Sequence, residues 1–200
     1  CSDRVLVDDS AVLAAELLAG DTSARGRIVL VCDNSGMELV CDLLLVRWLL
    51  SSRIASHVEL IVKPCPFYVS DATCNDVHLT LSTLAADEHP ALSRLGNDLL
   101  ALSVTQKLSV RQDEFWSSPL AGWEMPSERR MSLQTARLVI IKGDLQYRKL
   151  LGNRSWPATT PFDQIVSGGG KQYGHATQCN QSTDDAMAEF ARGFPAPLLS

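Results

Sequence analysis

Asp33, Asp71 and Asp144 each follow an apolar, strand-like run. Asp33 comes after Arg27-Ile28-Val29-Leu30-Val31-Cys32, Asp71 after Phe67-Tyr68-Val69-Ser70, and Asp144 after Arg137-Leu138-Val139-Ile140-Ile141-Lys142-Gly143. In an open α/β sheet, ligands bind in the crevice outside the carboxyl ends of the strands. Three carboxylates gathered at that edge make a site for a hard cation, and a cation there attracts phosphate.

Two clusters give this pattern chemical detail. Asp33-Asn34-Ser35-Gly36-Met37-Glu38 lies at a strand-to-helix junction. Asp33 and Asn34 offer the oxygens that Mg²⁺ or Mn²⁺ prefers. Gly36 permits a tight turn, and the helix start adds free N–H groups that favour an anion. Glu38 and Asp42, four residues apart, project from one face of an otherwise apolar helix and need a reason to be there. Taken alone, the segment also reads as a helix N-cap with a dipole-compatible Glu, and Asp71 as a turn residue. In the second cluster, Lys142 to Leu150, Gly143 allows close backbone approach and Arg148 can grip phosphate bidentately. Lys142 adds a point charge and Tyr147 a hydroxyl or a stacking face. Its bland alternative is a solvated helix start with an i,i+4 Asp144–Arg148 pair.

The elements that must position these residues alternate. A first helix is expected over 11–18, capped by Ser10, then a strand over 27–32. A helix from Gly36 to about Ser52 is apolar on nearly every side and is expected to be buried. A strand over 57–62 stops at Lys63-Pro64-Cys65-Pro66, and 67–70 is a short extended piece. Helices follow over about 76–86, capped by Thr73 or Asn75, and over 91–101. Residues 108–115 read as a strand, 127–132 as a helix, 137–142 as a buried strand and 147–151 as a helix start. This alternation predicts a mostly parallel sheet with covered faces, and 200 residues suffice for one such domain. The glycine-rich and polar stretch 167–184 reads as a flexible loop. Both ends of the chain read as cut.

Composition excludes several classes. The chain is 46% hydrophobic and 20% charged, with a net charge of −5, and its basic residues form no run that would mark a nucleic-acid footprint. No apolar stretch is long enough to cross a bilayer. Cys1, Cys32, Cys41, Cys65, Cys74 and Cys179 lack zinc or disulfide spacing and read as reduced, mostly buried thiols. A cytoplasmic location, with the nucleus as a second compartment, is expected. His57, His78, His89 and His175 share no ligand spacing, Trp48 and Trp116 are expected to pack in the core or line a cleft, and Ser117-Ser118 has no base nearby in sequence.

Asp33–Leu39, Pro66–Asp71 and the run Lys142–Leu150, with Gly152–Trp156 and Thr160-Pro161-Phe162, resemble the damage-control phosphatase family (domain of unknown function 89). The closer resemblance is to its eukaryotic branch, the acidic residue methyltransferase-like proteins, and it covers about residues 27–166. It implies a Rossmann-like three-layer α/β domain, normally preceded by a helical domain. It implies a divalent metal on Asp33, Asn34 and Asp71, with Mn²⁺ first and Mg²⁺, Co²⁺ or Ni²⁺ as alternatives. It implies substrate binding by Asp33, Asn34, Asp144, Leu145, Gln146, Tyr147 and Arg148. Asp33, Asn34 and Asp144 are the candidate catalytic residues. The implied chemistry is hydrolysis of phosphate monoesters such as fructose 1-phosphate and fructose 6-phosphate. Glu38 matches a position assigned to S-adenosylmethionine in the carboxyl methylation also proposed for the branch. Gln146 departs from the branch's usual Asn. The branch's terminal Arg-Thr-x-Lys motif is not reached by Ser200, although Phe194–Ser200 looks like the approach to it.

Overall fold

The computed structural model describes residues 8–19, 26–157 and 159–166. The stretch 167–184, the terminal segment 194–200, Cys1 and Cys179 lie outside them. Among the described residues, four strands form one parallel sheet in the order β3-β2-β1-β4. They are β1 (Arg27–Val31), β2 (His57–Val62), β3 (Leu108–Gln112) and β4 (Leu138–Ile141). Val31 pairs with Ile61 on one side and Ile141 on the other. The first three strands step outward in one direction, and β4 then docks on the opposite side of β1. The chain therefore reverses direction between β1 and β4, and such a switch point opens a crevice at the carboxyl ends.

Alternation along β1 and β2 divides the core between the two sheet faces. Ile28, Leu30, Cys32, Val58, Leu60 and Val62 pack against α2 (Met37–Ser51), α3 (Cys74–Ala85) and α4 (Pro90–Val104). Val29, Val31, Ile61 and Val139 meet Phe115, Trp116, Met125 and Leu133 on the other face. Truncating one such buried leucine to alanine costs about 2–5 kcal/mol. Those partners come from a 3₁₀ turn at Glu114–Ser117 and from α5 (Ser127–Gln134) and its approach. The result is three layers: the parallel sheet with covered faces expected from the alternation, and the Rossmann-like α/β class that the resemblance implies. α1 (Ser10–Ala19) adds Leu13 and Leu17 to the first face.

Several local expectations are corrected. α2 is not buried all round: Leu39, Leu43, Val46, Leu49 and Leu50 face the sheet, while Met37, Leu44 and Trp48 are exposed. A helix on a three-layer sheet has only one covered side, so an apolar sequence does not by itself bury it. Trp116 is buried as expected, but Trp48 is not. Residues 67–70 form an exposed turn rather than an extended piece. β3 ends at Gln112, where Asp113 caps the 3₁₀ turn through Phe115 N. α6 (Asp144–Leu150) begins three residues before the expected start, directly after Gly143. Of the four described cysteines only Cys32 is buried, where burial pushes its thiol pKa up. Cys41 and Cys65 are exposed. Thr73 does cap α3, in a reciprocal box with Asp76.

Candidate functional site

Asp33 and Asp71 reach one place by different routes. Asp33 follows directly on β1, whose ladder extends one more step when Cys32 N donates to Ile61 O at 2.9 Å. Asp71 arrives on a return segment beyond β2. There Ser35 N donates to Ser70 O (2.7 Å), Ala72 N to Asp33 O (2.8 Å) and Lys63 N to Ala72 O (3.2 Å). Asn34 and Asp71 form an isolated antiparallel bridge. Residues 70–72 thus lie across the carboxyl ends of β1 and β2. The Asp71 carboxylate stabilises that fold-back itself, because its Oδ2 accepts from Phe67 N and Tyr68 N, both at 2.8 Å.

The two carboxylates converge on Lys63. Its Nζ lies 2.5 Å from Asp71 Oδ1 and 3.3 Å from Asp33 Oδ1, and the residue is only 1% exposed. In the sequence this lysine is only the start of a proline-rich strand end. Its only local signal is a charged residue in register with a buried apolar strand.

Asn34 ties the pair to α2. Its Nδ2 donates to Asp33 Oδ2 (2.8 Å) and Glu38 Oε2 (2.9 Å), and its Oδ1 accepts from Ser70 Oγ (2.7 Å). Glu38 Oε1 and both oxygens of Asp42 take the Lys142 ammonium at 2.6, 2.7 and 3.0 Å. This explains the two acidic residues on one face of α2: they bind a lysine delivered by the end of β4. The Lys142 point charge therefore faces carboxylates here. Burial works to raise the Glu38 pKa, but Lys142 and Asn34 outweigh it and hold the carboxyl below its ordinary range. For the more enclosed Asp42, burial wins over Lys142 and the pKa is raised. Burial also opposes the charge on Lys142, yet its two carboxylates hold its pKa above the ordinary value.

Gly143 closes the site from the β4 side. At φ +91°, it lies where an added Cβ would stand 2.3 Å from Asp33 Cγ. Only a residue without a side chain lets β4 approach Asp33 so closely.

The run after Gly143 divides. The Asp144 side chain is 83% exposed and meets Arg148 at 3.1 Å, the i,i+4 surface pair that the sequence left open as the bland alternative. Tyr147 is exposed and stacks on Phe162 with ring centroids 6.4 Å apart. Leu145 is half-buried. Gln146 is 0% exposed, its Nε2 donates to Trp116 O at 3.1 Å, and its Oε1 has no hydrogen-bond partner. As folded, its amide fastens the Trp116 turn. Lys149 is likewise turned inward onto Ser118 O and Leu120 O, and burial lowers its pKa to about 8. Of the histidines, His57 bridges Gln106 O and Ser109 Oγ and His89 caps α4.

Among the described residues, no group of three or more His, Cys, Asp or Glu side chains is arranged to hold a metal ion. Asp33, Asn34 and Asp71 offer two carboxylates and one amide. Their chemistry fits a hard cation, since both carboxylates already turn an oxygen toward one positive charge. Four carboxylates here face two ammonium groups, which leaves two negative charges to balance a divalent ion.

Comparison with known proteins follows the same lines. A damage-control phosphatase ARMT1-like domain matches residues 1–187. The human damage-control phosphatase ARMT1 is 37% identical over 151 residues, which is 74% of this chain and 34% of that protein. The Danio rerio protein of the same name is 34% identical over 172 residues, covering 82% of this chain and 38% of its own length. The Xenopus laevis protein is 34% identical over 171 residues, 82% and 39% respectively. The chain spans little more than a third of the length of these relatives. With its Rossmann-like sheet and its acidic switch-point crevice, the chain belongs to the damage-control phosphatase ARMT1-like family.

Proposed function

We propose that this chain carries the catalytic site of a metal-dependent phosphatase acting on small phosphate monoesters, with sugar phosphates such as fructose 1-phosphate or fructose 6-phosphate as substrates. The observation that carries this reading is the convergence of Asp33 and Asp71 on a single cation, beside an Asn34 bridged to Asp71. Asp33, Asn34 and Asp71 would hold the ion, with Mn²⁺ the first expectation. Asp33 Oδ1, Asp33 Oδ2 and Asp71 Oδ1 each meet one protein donor and keep a further lone pair for a metal, whereas Asp71 Oδ2 is filled by Phe67 N and Tyr68 N. When bound, such an ion supplies Lewis-acid polarisation of a phosphoryl oxygen.

The chain's own residues do the rest. Gly36, at φ +72°, starts α2 without a side-chain cap, so the N–H groups of the first turn remain available to phosphate oxygens. Arg148 lies at the surface with Asp144 as its ion-pair partner, and can swing to a phosphoryl group at little cost, since an exposed pair contributes well under about 1 kcal/mol. Asp144 is then released to accept from a sugar hydroxyl or to orient a water. The α2 N–H groups are the donors fixed in advance of the reaction, and Arg148 joins them by leaving Asp144.

Methyl transfer from S-adenosylmethionine is the second reading, and it assigns Glu38 to the cofactor. Glu38 Oε1 accepts from Lys142 and Oε2 from Asn34, so a cofactor would meet it only through the remaining lone pairs. The test is phosphate release from a panel of sugar phosphates with Mn²⁺, Mg²⁺, Co²⁺, Ni²⁺ or chelator. Metal-dependent release that falls by a factor of a hundred or more in Asp71→Ala, on the scale of losing an electrostatic catalytic group, is the expected result. Equal release from Asp71→Ala would sink the assignment. Absence of release with every metal, together with heat on titrating S-adenosylmethionine, would move the reading to methyl transfer.

A further inference from the structure

We infer that Lys63 and the metal ion are alternative partners of the Asp33–Asp71 carboxylate pair, so that this buried ammonium sets how tightly the ion is held. The inference rests on the metal reading above and deepens it: the site is built for an exchangeable ion that competes with an internal cation.

The argument is an inventory of oxygens. Asp71 Oδ2 accepts from Phe67 N and Tyr68 N, both at 2.8 Å, and these two donors fill it. A metal on Asp71 must therefore use Oδ1, and that oxygen carries Lys63 Nζ at 2.5 Å. The oxygen of Asp33 turned toward the same place, Oδ1, faces the same ammonium at 3.3 Å, while Oδ2 takes Asn34 Nδ2 at 2.8 Å. An ion shared by Asp33 and Asp71 thus meets Lys63 on both sides. The lysine is no surface side chain: it is 1% exposed, and its backbone N is tied to Ala72 O at 3.2 Å. A divalent ion and an ammonium a few ångströms apart in such an enclosed place repel strongly, because little water lies between them to screen the charges. In the metal-free protein the same ammonium is needed, since two adjoining carboxylates without a counter-charge are costly to bury. Lys63 therefore stabilises the empty site and opposes the filled one.

Lys63→Gln removes the charge and keeps a hydrogen-bond donor for the carboxylates. Mn²⁺ titration calorimetry on the metal-free protein should give a Kd lowered about tenfold or more in this variant. A lysine that only anchors the two carboxylates predicts the reverse, because ligands that lose their anchor bind metal less well. Lys63→Arg keeps the charge and should bind Mn²⁺ no more tightly than the unmodified protein. The thermal midpoint of each metal-free variant checks that the fold is intact. A crystal structure of the unmodified protein with Mn²⁺ gives a reading that needs no variant. There the ion should lie on Asp71 Oδ1, with Lys63 Nζ moved out of hydrogen-bond distance from it. An unchanged or raised Kd in folded Lys63→Gln, equal tightening in Lys63→Arg, or an ion on Asp71 Oδ1 with Nζ still in place would overturn the competition while leaving the metal reading intact. No saturable Mn²⁺ binding by either the unmodified protein or Lys63→Gln would overturn both.

Discussion

Lys63 has the most to reveal at the scale of the single residue. Its ammonium is buried between Asp33 and Asp71, and removing one member of a buried ion pair typically costs about 3–5 kcal/mol, because the other charge is left without a partner. Lys63→Met should therefore lower the thermal midpoint of the metal-free protein. Added Mn²⁺ should raise that midpoint more in the variant than in the unmodified protein, since the ion then replaces the charge lost between Asp33 and Asp71. Equal midpoints without metal would mean that the two pairs contribute nothing to stability. The contrast between Lys63 and Asp33 also shows what a sequence exposes. Asp33-Asn34 could be read because a strand-to-helix junction is a local pattern. Lys63 reads only as the point where a strand stops before Pro64, and its role depends on a fold-back at 64–72 that no local pattern specifies. Glu38 and Asp42 stood out as acidic residues on an apolar helix, but their partner Lys142 lies a hundred residues further on.

At the scale of elements, the junction between β4 and α6 is the sensitive one. Gly143→Ala would force a methyl group onto the Asp33 carboxylate and a side chain onto a backbone at φ +91°. Displacing β4 or turning Asp33 aside are the two ways to relieve that contact, and overpacking of this kind costs about 1–3 kcal/mol. The expected outcome is a folded protein by circular dichroism, a lower thermal midpoint, and loss of most metal-dependent phosphate release. Release at the unmodified rate would mean that Asp33 has freedom the structure does not suggest. The strands β1 and β4 were legible because a parallel strand covered on both faces reads as a continuous apolar run. The turn at 67–70 was misread as extended for the same reason, since Phe67, Tyr68 and Val69 form an apolar run yet are exposed. Their backbone is bent by two N–H bonds to Asp71, a constraint that appears only once Asp71 is in place.

Across the whole molecule, protection should follow the sheet order. β1 and β2 occupy the centre of β3-β2-β1-β4, and residues 28–31 and 58–62 are almost fully buried. Their amides should be the last to exchange with deuterium, requiring global unfolding, while those of α1, which packs through Leu13 and Leu17 and is tied to the rest by Arg137 at Glu16 O and Leu17 O, should exchange early. Equal protection of α1 and β1 would show a single cooperative unit instead. The parallel class was legible from the alternation of runs, but the strand order was not. Nothing in the apolar run 137–142 says that it crosses back beside β1 rather than continuing past β3. That crossing has a consequence for a chain still emerging from the ribosome. The strand that carries Lys142 is synthesised about a hundred residues after α2, so until it arrives Glu38 and Asp42 repel each other with no counter-charge. A nascent chain can bring Asp33 and Asp71 together early, but it completes the crevice only when β4 inserts. Among the described strands β4 is the last to be made, and its docking is also the step that neutralises α2.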